Sequence, residues 1–343
     1  MPAKLRLGII GCGGICAAHL KGLAAMSDLE IVGMADPQKP HMDARVAELK
    51  AINPDASPQT FADGVEMIAA TGPDVVYIMI PPYAHGPMER ACIERKIPFF
   101  TEKPMALDMG FVREIAAEVE KAGLLTCVGY MNRYRKGVQK ARELFKKDPA
   151  ALAFGDWIGG SPNPKPTDTG GGSWWTVMSK SGGQAVEQCT HTFDLVRFIC
   201  GEAVEVFAHA ATGFNVGLYN YDVHDASLVN IKLKNGGIAN LVSACMANAG
   251  GGGVTLNIFG HDTTAMFSGW EHNVKILQVG KEPEEIKGEG DIFVIEDTAF
   301  LNAVRKRDGS GIQCQYSDGL KSLELGLAAN QSMATGKPVE IQG

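Results

Sequence analysis

The chain has 343 residues, 45% of them hydrophobic, which is enough for more than one core and makes two domains of unequal character the expectation. Its formal net charge of -7, with no stretch that clusters Lys and Arg among aromatics, argues against nucleic acid as a partner. No apolar run reaches membrane-spanning length and the first strand begins at about Lys4, leaving no room for a cleavable leader, so a cytoplasmic protein is expected, with no membrane partner.

Residues Leu5 to Ile10 read as a buried strand that breaks into the glycine turn Gly11-Cys12-Gly13-Gly14 and opens a helix running toward Met26. Gly11 permits the tight turn, Gly13 lets backbone approach a pyrophosphate, and the first helical amides, from Gly14 and Ile15, face that anion with the helix dipole in their favour. The third fingerprint position, usually Gly or Ala, is Cys16, small enough for close helix packing. Asp36 closes the next strand, Leu29 to Ala35. A carboxylate there accepts the ribose hydroxyls of NAD and repels the 2'-phosphate of NADP, so NAD is the preferred cofactor; Lys39 nearby leaves NADP open.

Further strands are predicted at Asp74 to Ile80, Ile97 to Glu102 and Leu124 to Tyr130. Helices are predicted between them at His41 to Ile52, Asp63 to Ala70, His85 to Arg95 and Met109 to Ala122, the last with Asp108 as N-cap. This alternation is the pattern of a doubly wound parallel sheet, giving a dinucleotide-binding domain over residues 1–130. Lys103 follows the strand that ends at Glu102, at the carboxyl edge where ligands collect in such sheets, and a partly desolvated lysine there can hold a substrate oxygen.

After a helix at about Lys136 to Lys147, Pro and Gly crowd residues Gly159 to Gly172, and one more helix follows near Gln188 to Cys200. Strands with period-two alternation come next, at Val204 to Ala211, Ser227 to Lys234, Ile238 to Met246, Val254 to Phe259, Thr264 to Phe267 and Val274 to Val279. Asn235-Gly236 marks a hairpin, and helices at Ile292 to Lys306 and Asp318 to Thr335 close the chain. The expectation is an α+β domain over residues 131–343 with a mostly antiparallel open sheet. The helix at Gln188 covers the face of Val229, Ile231 and Leu233, while Ala239, Leu241 and Cys245 soften the other face, a candidate surface for a homo-oligomer.

If the stretch from Gly182 to Asp194 is helical throughout, Glu187, His191 and Asp194 fall on one face at i, i+4 and i+7. Histidine exchanges protons near neutrality and a carboxylate neighbour fixes its tautomer, which makes His191 a candidate acid/base. No metal is expected: Cys12 and Cys16 lack a second pair, and Glu187 with His191 lacks a third ligand. The eight scattered cysteines read as reduced core thiols. Asn132 and Arg133 are candidate donors to substrate oxygens, and Trp174-Trp175, after the flexible Gly170 to Gly172, offers aromatic faces for a sugar ring.

Gly11-Cys12-Gly13-Gly14-Ile15, Ile80-Pro81-Pro82-Tyr83-Ala84-His85, Glu102-Lys103-Pro104 and the Gly-Gly segment leading to His191 and Asp194 together resemble the Gfo/Idh/MocA family over essentially the whole length. The resemblance implies an NAD(P)-dependent dehydrogenase or reductase for a sugar, sugar derivative or cyclitol, with Lys103 and His191 as catalytic residues. It implies that Pro81, Pro82, His85, Glu102 and Lys103 border the cofactor, and that the Lys103-Pro104 bond is cis. Glu187 stands where many relatives carry Asp, as orienter of His191 or of substrate beside Asp194. Two other activities on this fold are an NAD-dependent glycoside cleavage through transient oxidation and a nucleotide-sensing regulator. Apart from the resemblance, the sheet-face residues named above make a homodimer or homotetramer through the second domain's sheet the expectation.

Overall fold

In a computed structural model that describes residues 4–342, the alternation of apolar strands and helices in the first part of the chain closes a parallel sheet. Its strands are β1 (Leu5–Ile10), β2 (Leu29–Ala35), β3 (Gln59–Phe61), β4 (Val75–Ile78), β5 (Phe99–Thr101) and β6 (Thr126–Val128). The connecting helices are α1 (Gly14–Leu23), α2 (Lys39–Ile52), α3 (Gly64–Thr71), α4 (Pro87–Glu94) and α5 (Met109–Ala122). The spatial order is β3-β2-β1-β4-β5-β6 and every pairing is parallel. The winding therefore reverses direction beside β1, the strand that feeds the glycine turn, and ligands of open α/β sheets bind at such a reversal.

α6 (Lys136–Phe145) leads into β7 (Leu152–Gly159), α7 (Met178–Ser181), α8 (Gly183–Glu187) and α9 (Thr190–Cys200). A second sheet follows, with β8 (Ala203–Ala211), β9 (Ala226–Leu233), β10 (Ile238–Cys245), β11 (Gly253–Phe259), β12 (Thr263–Ser268), β13 (Asn273–Gln278) and β14 (Glu284–Ile286). The chain ends with α10 (Ile292–Lys306), α11 (Tyr316–Thr335) and β15 (Val339–Glu340). The order is β14-β13-β12-β11-β7-β10-β9-β8-β15, antiparallel except where β7 runs parallel to β10. β7 escaped the sequence reading because Gly155 interrupts its alternation. A Cβ at Gly155 would lie 2.4 Å from the Thr255 carbonyl, so glycine lets β7 pass close to β11.

One face of this sheet is sealed by α9: Phe193, Leu195 and Val196 share a core with Val229, Ile231 and Leu233. Ala239, Leu241 and Cys245 belong to the same buried side, which corrects the expectation that they soften the other one. The register explains it, since Leu241 lies opposite Val229 and Ala239 opposite Ile231, and partners across an antiparallel pair share a face. The open face carries instead Phe154, Leu228, Ile238 and Met266, each more than 40% exposed.

The compact units do not divide at one point in the chain. The first comprises residues 1–129, 169–171 and 293–320; the second holds 130–168, 172–292 and 321–343. Residues 293–320 join the first unit because Phe300, Leu301 and Ala303 of α10 pack with Leu7, Ile9, Tyr77 and Phe100 in one core. Backbone ties reinforce this: Val128 N donates to Cys314 O at 2.9 Å, and Tyr316 N donates to Thr126 Oγ1 at 3.1 Å.

Candidate functional site

In the first unit, Gly11 has φ +89° and an added Cβ would sit 2.2 Å from the Met79 carbonyl, so the turn admits no side chain here. At Gly13 and Gly14 an added Cβ meets nothing within 4 Å, and α1 starts without a side-chain cap. Open space in front of uncapped helix amides fits a pyrophosphate. Cys16 is fully buried between helix and strand, and its thiol is pushed well up by the neighbouring Cys12 thiol and by burial. Ile15, the second residue of α1, is half-buried.

Asp36 is buried and held at both oxygens: Cys12 N donates to Oδ2 at 2.8 Å and Gln38 N to Oδ1 at 2.7 Å. Each oxygen keeps further acceptor capacity, which fits a ribose diol. Lys39 stands on the helix surface bonded to Asp43 at 2.7 Å, so the cation expected to offset a 2'-phosphate already has a carboxylate partner. A contact missed by sequence adds a second wall. The Thr169 carbonyl accepts from Gln38 Nε2 at 2.6 Å and its hydroxyl lies 3.2 Å from His41 Nε2, while His41 Nδ1 stands 3.9 Å from Asp36.

The segment after β4, expected to border the cofactor, packs back onto the next helix. Pro81 is extended, Pro82 is buried at the start of a single 3-10 turn, and His85 turns onto α4, where its Nδ1 lies 2.5 Å from Glu89 Oε1. Both side chains are fully buried. Burial alone would raise the Glu89 carboxyl, but His85 and the Gly86 amide, which donates to Oε2 at 2.7 Å, hold it below the usual range. His85 thus clamps the loop onto α4 through a buried acid three residues into the next helix that needs a partner.

At the end of β5 the Lys103-Pro104 bond is cis, as the resemblance implied. Lys103 is half-buried. Glu102, expected beside the cofactor, turns inward: its Oε1 lies 3.2 Å from His19 Nε2 and its Oε2 accepts from Lys103 N at 3.1 Å. His19 Nδ1 in turn lies 2.8 Å from Asp297 Oδ1. His19 and Asp297 are functional candidates that sequence reasoning missed, since a lone histidine in an apolar helix reads as core.

In the second unit the expected continuous helix is broken. α8 ends at Glu187, α9 begins at Thr190, and Gln188 N and Cys189 N both donate to the Gln184 carbonyl, at 3.1 and 2.9 Å. The shift in bonding removes the common face of Glu187, His191 and Asp194. Glu187 Oε2 accepts from Trp175 Nε1 at 2.8 Å, so these two residues pair with each other, and Trp174 beside them is half-buried. Asp194 and Arg133, both expected to touch substrate, form a buried ion pair. Arg133 Nε reaches Oδ2 at 2.9 Å, Nη2 reaches Oδ1 at 2.6 Å, and Ser322 Oγ donates to the same carboxylate at 2.6 Å. A desolvated charge of either sign is costly alone, which explains why they meet.

His191 is 4% exposed and lies in an aromatic setting. Trp157 on β7 stacks on its ring with centroids 5.6 Å apart and planes 22° apart, and Tyr130 presents an edge at 6.2 Å. Trp157 is itself fixed by Nε1 donating to Gln188 Oε1 at 2.6 Å, and Tyr130 OH lies 3.0 Å from Thr190 Oγ1. These contacts hold one orientation of the imidazole, the property an acid/base group needs. Asn132 is buried, with Oδ1 accepting from Arg135 Nε at 2.7 Å and Nδ2 left without a protein acceptor. All eight cysteines are buried and none forms a disulfide.

Residues 5–130 match the family model described as the Gfo/Idh/MocA oxidoreductase family, NAD-binding Rossmann fold, and residues 158–341 match that of its C-terminal alpha/beta domain. The chain is 22% identical to a myo-inositol 2-dehydrogenase of Thermotoga maritima, over 98% of this chain and 99% of that one. It is 23% identical to the scyllo-inositol 2-dehydrogenase (NAD(+)) of Bacillus subtilis, over 99% and 97%. Among solved structures, a levoglucosan dehydrogenase in complex with NADH superposes with a TM-score of 0.86 at 18% identity, covering 98% of this chain and 99% of that one.

Proposed function

Given that the chain belongs to the Gfo/Idh/MocA family of NAD-binding oxidoreductases, we propose that it oxidises a ring hydroxyl of a sugar, sugar derivative or cyclitol, with NAD preferred over NADP. The observation that carries the reading is the end-to-end match to inositol dehydrogenases, beside which this chain places Lys103 after β5 and a ring-stacked His191 in α9. Bound NAD supplies the hydride acceptor.

His191, oriented by Trp157 and Tyr130, takes the proton of the reacting hydroxyl, and Lys103 steadies the oxygen as charge develops on it. Asn132 Nδ2 donates to a second oxygen of the substrate, satisfying a buried N–H that no protein group meets. Trp174 and Trp175 offer ring faces to the C–H face of the substrate, with Glu187 fixing Trp175. Asp194 and Arg133 support α9 from behind His191 and do not touch substrate.

Asp36 supports the NAD preference: a 2'-phosphate would meet a carboxylate whose geometry two amides fix. No helix among the described residues is long and apolar enough to cross a membrane. The cytoplasm is the location that fits eight cysteines outside any disulfide, and the open face of the second sheet is where copies would associate.

The test is NADH absorbance during incubation of the protein and NAD with myo-inositol, scyllo-inositol, levoglucosan and aryl glycosides. Net NADH with a cyclitol or sugar is the expected result. Glycoside cleavage without net NADH, or nucleotide binding with neither, would replace the dehydrogenase by a hydrolase or a sensor.

A further inference from the structure

Beneath Lys103 lies a group of charges that the proposed chemistry does not use. His19 comes from α1, beyond the glycine turn; Glu102 is the residue after β5; Glu296 and Asp297 come from α10. His19, Glu296 and Asp297 are fully buried and Glu102 is 4% exposed. The imidazole is held at both nitrogens, by Asp297 at 2.8 Å and by Glu102 at 3.2 Å, and a Glu296 oxygen lies within 4.8 Å of the His19 and Glu102 ligand atoms. Ring edges of Phe293 and Phe100, with centroids at 5.0 and 5.2 Å, and Tyr77 at 6.0 Å complete the box around it.

Buried ion pairs add little net stability over well-packed apolar groups, so such a cluster is better explained by the geometry it enforces. Here the geometry is specific. Glu102 Oε1 fills the space over Gly129, where a Cβ would lie 2.4 Å away, so glycine at 129 is what leaves room for the carboxylate. Its second oxygen holds the amide of Lys103 at 3.1 Å. The chain of contacts Asp297 to His19 to Glu102 to Lys103 therefore joins the helix of the dinucleotide turn to the residue that bears the amine.

We infer that Glu102, His19 and Asp297 are positioning residues that lock the backbone of Lys103 to the nucleotide-binding helix, so that cofactor and amine keep a fixed separation. The inference rests on the role proposed above for Lys103. A displacement of about 1 Å at such a residue costs on the order of a hundredfold in rate. His19 sits between the Asp297 and Glu102 side chains, one at each ring nitrogen. Burial opposes its protonation, while Asp297 and Glu102 raise the ring well above the usual histidine value, with Glu296 and Tyr77 the other titratable groups facing it.

Glu102→Gln, nearly isosteric, is the central variant, with His19→Gln and Asp297→Asn beside it. Two measurements need no substrate: NADH affinity by fluorescence titration, and the pH dependence of Lys103 labelling by pyridoxal phosphate with borohydride, read by peptide mass spectrometry. Expected are NADH affinity within about threefold of wild type, a displaced labelling profile at Lys103 but not at exposed lysines, and kcat lowered at least about tenfold with KM little changed. The double variant Glu102→Gln/His19→Gln should be no worse than the weaker single one, because the residues act as one chain. An unchanged Lys103 profile in folded Glu102→Gln overturns the inference. So does a stoichiometric metal ion in the purified protein that Glu296→Gln removes, since the cluster would then be a metal centre. If wild type turns over none of the tested sugars, the proposed function fails, while the labelling result still decides the positioning claim.

Discussion

At the scale of single residues, polar groups that sequence assigned outward are in several cases turned inward because burial demands a partner. Glu102, His85, Arg133 and Asp194 were all expected to face cofactor or substrate, yet each completes a charge pair inside its own unit. Gly11 is the opposite case, a residue whose role was legible because backbone geometry alone dictates it. Gly11→Ala forces a positive φ on a side chain that also meets the Met79 carbonyl, so loss of NADH binding and a lower Tm are expected; unchanged binding by fluorescence would contradict the turn geometry. For His19, whose protonation point is raised in the fold, the proton-linked stabilisation is fully present below the unfolded value of about 6.5 and is lost as pH rises through the folded one. The stability gap between wild type and His19→Gln, from urea titrations at about pH 6 and about pH 9.5, should therefore narrow at the higher pH. A gap that stays constant or widens would mean a neutral ring.

At the scale of elements, helices announce themselves through their ends and strands through alternation, and both signals fail where tertiary contact takes over. Asp108 was readable as an N-cap, and its Oδ1 accepts from Phe111 N at 3.0 Å. Asp108→Ala is expected to cost about 1 kcal/mol in a urea titration, and a value near zero would mean the first turn of α5 does not depend on that bond. The break between α8 and α9 was not readable, because the residues on either side keep a helical pattern and the shift depends on how Gln184 is held: its Nε2 donates to the carbonyls of Trp157 and Ala244. β7 was hidden by Gly155, and with it Trp157, the residue stacked on His191. Short edge strands such as β3, β14 and β15 carry too few residues for periodicity to show.

At the scale of the whole molecule, the doubly wound parallel sheet and the mostly antiparallel second sheet were both legible, since they rest on long runs of repeated pattern. What the linear pattern hides is that the first unit borrows residues 293–320, including the acid that holds His19, from near the far end of the chain. The open face of the second sheet places Phe154, Leu228, Ile238 and Met266 in water, an apolar group on one face of the kind that subunit association covers. Replacing Phe154 and Ile238 by Lys should convert an oligomer to monomer by light scattering with NADH affinity retained; a wild-type protein already monomeric at micromolar concentration would contradict association through that face. The proposed chemistry is hydride transfer from a ring hydroxyl managed by an amine and an imidazole. Initial rates of NADH formation with myo-inositol and scyllo-inositol test it most directly, for wild type, Lys103→Met and His191→Ala, each first shown to bind NADH. Measurable turnover in wild type that falls at least about a thousandfold in both variants is the predicted result. Wild-type rates in either variant would contradict it.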